Sequence, residues 1–507
     1  MKYRLLSFTL LCSSLSFMSV SCSSAKPATT SPTADQTEPD TAGARAADSV
    51  HDESWRATPP QVGPAPDVVI PLFEQANLPN GLTVMVVHRA TLPLVSVSLV
   101  LKSGSAVESA TEQGLADLTY EMMLEGTADM DGVALAAAFA DLGSRVSVGT
   151  AEDGAAFRAL LLKKNLDAGL DLMMDILNRP AFKKDDFVRR QKERVSELQS
   201  LMGNPQYLSS IAVSARVFGE GHPYAHPVMG TAETVAAFKL KQLKRFYRTH
   251  VSPENAALVL TGDITLDEAV VLATEKFGAW KSRLGENNPV REKLNRGESR
   301  PAFSVAMVAK PGMNQTIISA ATVALPVGDA DEWALRIAID AFSGMFGSRL
   351  NMNLREDKAY TYGAKGYLDA MFQDGAVLIS TSVQGDVTGA ALREIMAEFD
   401  NLKTHPITED EFHGARENVL KSVSGWFESV SGLGSAAQTI FQRDLPLSRY
   451  SNMLNAYRKL TLEDVRKAAD KYLNPSTVQV VLVGDPTLIQ TQLSTTSFGE
   501  PTLIPLN

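Results

Sequence analysis

Residues 114–127 read Gly114-Leu-Ala-Asp-Leu-Thr-Tyr-Glu-Met-Met-Leu-Glu-Gly-Thr127. Leu115, Leu118, Met122 and Met123 fall at helical spacing, so the stretch predicts an amphipathic helix with its apolar face toward a core. Asp117, Tyr120 and Glu121 are interleaved with that face. Taken alone, such a helix is ordinary core packing, and its register within the rest of the chain decides how to read it.

In that register the stretch resembles the zinc-binding helix of pitrilysin-type (inverzincin) peptidases, in which H-x-x-E-H supplies two His ligands one turn apart and a Glu general base. Asp117 stands at the first His, Tyr120 at the Glu and Glu121 at the second His. The resemblance implies a member of this family whose own zinc chemistry has been replaced. Its third zinc ligand, a Glu on a later helix, is matched by Glu197 in Lys192-Glu-Arg-Val-Ser-Glu-Leu198, with Glu193 as a second candidate. Carboxylates without imidazole or thiolate partners make a poor zinc site, and Asp117, Glu121 and Glu197 would hold at most a hard cation weakly.

The resemblance extends over roughly residues 70–486. Leu78-Pro-Asn-Gly-Leu-Thr-Val84 is similar to the family's entry strand, with Asn80-Gly81 as its turn. Gly104-Ser105 with Glu108 resembles the lead-in to the zinc helix. Gly219-Glu-Gly-His-Pro-Tyr-Ala-His-Pro-Val-Met-Gly-Thr231 resembles the loop after the first domain's long helices. In the second half, Phe342-Ser-Gly-Met-Phe-Gly-Ser-Arg-Leu350 and Leu354-Arg-Glu-Asp-Lys-Ala-Tyr-Thr-Tyr362 resemble the glycine-rich segment and the Arg/Tyr pair that contacts substrate near the scissile carbonyl. Carried over, that pair is Arg355 and Tyr362.

A chain without zinc ligands but with Arg/Tyr resembles the non-zinc subunit of heterodimeric bacterial members and of mitochondrial processing peptidase. The implied function is a catalytically inert subunit that binds peptide substrate for a homologous zinc-bearing partner, with zinc held only by that partner. An inert peptide-binding or scaffold lipoprotein of the same fold is the alternative. An active metallopeptidase with an unusual metal is disfavoured, because a Tyr at position 120 cannot replace a Glu base at neutral pH.

The halves of the chain also resemble each other. Val251-Ser-Pro-Glu-Asn-Ala-Ala-Leu-Val-Leu-Thr-Gly-Asp263 and Leu473-Asn-Pro-Ser-Thr-Val-Gln-Val-Val-Leu-Val-Gly-Asp485 share their Pro to Gly-Asp spacing, each after a helical segment, 240–250 and 462–472. Paired strands are expected earlier in each half, 82–88 with 95–102 and 303–309 with 316–325. The expected fold is α+β: two homologous, duplicated domains, each a mostly antiparallel sheet covered by helices on one side. Residues 67–280 form the first domain, 281–300 a charged linker, 301–486 the second domain and 487–507 a tail.

At the amino terminus, Lys2 and Arg4 precede an apolar run that ends at Ser21-Cys22-Ser23, as in a bacterial lipoprotein signal over residues 1–22, although Ser19 stands where such signals usually carry Leu. Lipidation at Cys22 would anchor the mature chain in the periplasm or on the outer membrane, through a Ser/Thr/Pro/Ala-rich tether at 23–66. Both cysteines, Cys12 and Cys22, lie in the signal, so the body carries neither disulfides nor thiolate ligands. A net charge of −10 disfavours a nucleic-acid partner. None of the seven His forms a helical i, i+4 pair; His222 and His226 have that spacing, but Pro223 breaks the helix between them and leaves an ordered loop.

Overall fold

The computed structural model describes residues 68–219, 221–282 and 301–505. The signal with Cys22, the tether and residues 283–300 of the expected linker lie outside them. The described residues carry two six-stranded sheets and many helices, the α+β duplication read from the sequence.

The first sheet uses β1 (Glu74–Asn77), β2 (Thr83–His88), β3 (Leu94–Leu101), β4 (Ser147–Thr150), β5 (Ala155–Leu162) and β6 (Ala256–Gly262), in the order β1-β2-β6-β3-β5-β4. The second uses β7 (Ser304–Ala309), β8 (Gln315–Val323), β9 (Thr361–Ala370), β10 (Gly375–Gln384), β11 (Gln479–Gly484) and β12 (Thr502–Leu503), in the order β12-β7-β11-β8-β10-β9. In each half the two strands expected to pair with one another are separated by a third. β6 runs parallel to β2 and antiparallel to β3, and β11 does the same between β7 and β8. The intruders are the Pro to Gly-Asp strands, buried along their whole length. Their continuous apolar runs suit a central position, where both edges and both faces are covered.

The outermost strands break the duplication. β1 precedes its sheet and lies antiparallel to β2, whereas β12 comes from the chain's end and lies parallel to β7. The described part of the expected tail, 487–505, therefore helps close the second sheet: a helix, Pro486–Leu493, starts with Pro at its first position and Asp485 as its cap, and β12 follows.

Each half lays its own helices on one face of its sheet, and the opposite face receives a helix from the other half. Helix Pro205–Phe218 packs Leu208, Ala212, Val213 and Val217 against Val308, Ile317, Ala321, Val481 and Val483 of the second sheet. The Ser209 and Ser319 hydroxyls meet there at 2.7 Å. Helix Val430–Gln442 lies on the first sheet, with Gly434 opposite Ser96, Ser98 and Thr261. Small residues on both sides let helix and sheet approach closely. The exchange explains why β3 is buried on both faces rather than alternating.

The His222–Pro227 loop joins the halves. Buried Tyr224 donates to Asp153 Oδ1 at 2.6 Å and accepts from Gln373 N–H at 2.8 Å, while Asp153 also accepts from Phe372 N–H at 2.9 Å and pairs with Arg443 at 3.3 Å. The loop is ordered, as expected, because its tyrosine is part of this latch.

Candidate functional site

Residues Leu115–Met123 form the expected helix, entered through Gly114 in the left-handed region at φ 89°. A side chain on Gly114 would strike the carbonyl of Met229. Glu108 reaches back over the helix start and accepts from the N–H groups of Gly114 at 2.9 Å and Ala116 at 2.6 Å. Burial outweighs these bonds and raises the Glu108 carboxyl to about 8.

The three positions that the resemblance aligns with H-x-x-E-H behave differently. Tyr120 points into the core, edge-on to Phe157 and Phe246, and its hydroxyl donates to Ser103 O at 2.7 Å. Burial pushes that phenol far above its ordinary range, which removes it from proton transfer near neutrality. Asp117 and Glu121 turn instead toward the helix Lys184–Leu201, which carries both Glu193 and Glu197.

Between these carboxylates lies Arg194, a residue the sequence reading did not single out. It is only 3% exposed. One guanidinium nitrogen bonds Asp117, a second meets Glu121 Oε1 at 2.5 Å, and Nε pairs with Glu197 Oε2 at 3.2 Å. The structure therefore brings together Asp117, Glu121 and Glu197, the two His positions and the third-ligand position of the resemblance, around a guanidinium. Burial pulls Arg194 toward neutrality, but Asp117 beside it overrides this and holds its pKa above the usual range. One turn along, Arg190 meets Glu121 at 2.6 Å and Glu125 at 3.3 Å. Acid residues four apart on one helix thus face arginines four apart on the other. Glu193 is drawn to Arg189 and Arg190 on its own helix and does not join the Asp117 group.

The carboxylates do not fit zinc while Arg194 stands among them: Asp117 and Glu121 are held by its guanidinium, the half-exposed Glu197 lies in ion-pair range of it, and neither imidazole nor thiolate is present among them. Among the described residues no group of three or more His, Cys, Asp or Glu is arranged to hold a metal ion.

Arg355 and Tyr362 lie in the second half. The segment Met352–Asp357 is a π-helical turn, a form common at functional sites, and Ala359 in the left-handed region at φ 54° directs the chain out of it into β9. The Arg355 guanidinium stacks 4.6 Å above the Phe346 ring and lies 3.4 Å from Glu356. Tyr362 is 94% exposed on β9, the edge strand of its sheet. No hydrogen bond joins the two side chains among the described residues. Each presents donors to solvent.

The family model described as Insulinase (Peptidase family M16) matches residues 83–232, and the one described as Peptidase M16 inactive domain matches residues 237–419. An uncharacterized zinc protease of Mycobacterium leprae is 24% identical over 403 residues, covering 79% of this chain and 89% of the relative. The crystal structure of a peptidase M16 inactive domain from Pseudomonas fluorescens superposes with a TM-score of 0.75 at 24% identity, covering 82% of this chain and 98% of the other. A protease from Helicobacter pylori gives a TM-score of 0.74 at 19% identity, covering 82% of this chain and 100% of the other.

Proposed function

The chain belongs to the pitrilysin/insulinase peptidase family, and from that premise we propose that it is a zinc-less subunit that offers Arg355 and Tyr362 to peptide substrate bound at a partner's zinc. The observation that carries this reading is Arg194 among Asp117, Glu121 and Glu197: a guanidinium satisfies the carboxylates that stand at the ligand positions. It offsets part of their negative charge but has no open coordination position and cannot polarise a water or a carbonyl as zinc does. Tyr120, bonded to Ser103 O, replaces the base and cannot act as one.

The exposed pair supports the second part. A guanidinium and a phenol are donors suited to a carbonyl oxygen on which negative charge develops. In this reading the reaction chamber lies between this chain's second half and the partner's zinc-bearing domain. Anchorage in the bacterial envelope through Cys22 belongs to the same proposal.

The test is reconstitution with a zinc-bearing homologue from the same source. Arg355→Ala or Tyr362→Phe should lower turnover of the pair about a hundredfold, as for loss of a transition-state donor worth about 3 kcal/mol, while leaving association intact. Full turnover with both substitutions combined would leave only a peptide-binding or scaffold role.

A further inference from the structure

A second polar site lies on the face of the first sheet that receives the helix from the other half. A cavity of about 560 Å³ opens between Ser96 and Ser98 of β3, Ser144 and Arg145 of the turn before β4, Arg158 of β5, and Ser431 in the first turn of helix Val430–Gln442. No acidic residue lines it.

Arg158 is half-buried, and its only hydrogen bond among the described residues is to a neutral group, Gln438 Oε1, at 2.6 Å. Arg190, Arg194, Arg349 and Arg449 each face a carboxylate. Taking a guanidinium out of water without a counter-charge is costly, so Arg158 presents an unmatched positive charge to the cavity. The backbone makes room for it: a Cβ on Gly149 would come within 3.1 Å of Arg158 Nη1. The Ser144 hydroxyl is buried and meets no hydrogen-bond partner among the described residues. A guanidinium without a counter-charge and a hydroxyl without a partner thus share a space of the size that holds small ligands.

We propose that this cavity binds a phosphate-type oxyanion, free or as the monoester of a small molecule. Two guanidinium forks with several hydroxyls offer more donors than a single carboxylate can accept from, whereas a phosphate group presents three or four oxygens. Because Ser431 and Ser435 belong to the second half and the other lining residues to the first, an occupant bridges the two. The inference is independent of the peptidase reading, since it uses neither Arg355 and Tyr362 nor the Arg194 cluster.

Calorimetric titration of the full chain with inorganic phosphate and with glycerol 3-phosphate, at fixed ionic strength, tests it. Saturable binding of at least one probe is expected, weakened tenfold or more by Arg158→Gln and several-fold by Arg145→Ala, and unchanged by Arg355→Ala. Tighter binding of the monoester would identify a phosphorylated small molecule as the occupant, and equal binding the phosphate group alone. Arg145 is exposed, so its variant keeps the test valid if Arg158→Gln fails to fold. Absence of saturable binding by both probes, binding that survives both arginine substitutions, or acetate binding as tightly as phosphate would overturn the proposal.

Discussion

Removing the Arg194 guanidinium would strip Asp117 of its counter-charge and leave Glu121 only Arg190 as a partner. Arg194→Met should therefore destabilise the fold by about 3 kcal/mol, read as a fall in the urea midpoint, because breaking one side of a buried ion pair strands the other. Glu108 gives a second test. Burial raises its carboxyl to about 8 in the folded chain from an ordinary value of 4.5, so the folded state holds a proton that the unfolded state releases. Its contribution is fully present below about pH 4.5 and is lost as pH rises through about 8. Glu108→Gln should flatten the decline in stability across that window; an unchanged slope in pH-dependent urea melts would contradict the assignment. The resemblance picked out Asp117, Tyr120, Glu121 and Glu197 by register, and the structure gathers Asp117, Glu121 and Glu197 round one guanidinium. Arg194, three residues before Glu197, was not picked out. Arg189, Arg190 and Arg194 share one helix, and only the angle at which it meets Leu115–Met123 decides which arginine enters the carboxylate group.

The central strands β6 and β11, and the helices that precede them, could be read directly, since an apolar run between Pro and Gly-Asp is a local signal. Strand adjacency could not: β2 and β3 are consecutive in sequence, and insertion of β6 between them is a long-range choice. Nor did any local pattern announce that helices Pro205–Phe218 and Val430–Gln442 would cover each other's sheets, although the unbroken burial of β3 is its consequence. The loop carrying Tyr224 belongs to the same scale. Tyr224→Phe removes the donor to Asp153 and the acceptor for Gln373 N–H while keeping the ring packed against Phe218. The expected cost is about 1–3 kcal/mol, measured by chemical denaturation, because Asp153 keeps its other partners but the Gln373 amide loses one. A change below about 0.5 kcal/mol would show that the latch is held by packing alone.

At the scale of the whole molecule, the exchanged helices make the two halves one folding unit. Residues 68–282 expressed alone would expose the sheet face that Val430–Gln442 covers, and would leave Leu208, Val213 and Val217 of their own helix in water. Each such side chain is worth about 1.5–3 kcal/mol of burial. The isolated half should be aggregated or unfolded by circular dichroism, and co-expression with residues 301–505 should restore solubility; a cooperative melt of the half alone would refute this coupling. The same rigid frame fixes the Lys184–Leu201 helix against Leu115–Met123 and so keeps Arg194 where the resemblance places a metal. Zinc content of the purified chain tests that substitution most directly. The account predicts well under one equivalent after dialysis against micromolar zinc. One tightly held zinc per chain, lost on Glu197→Gln, would contradict it.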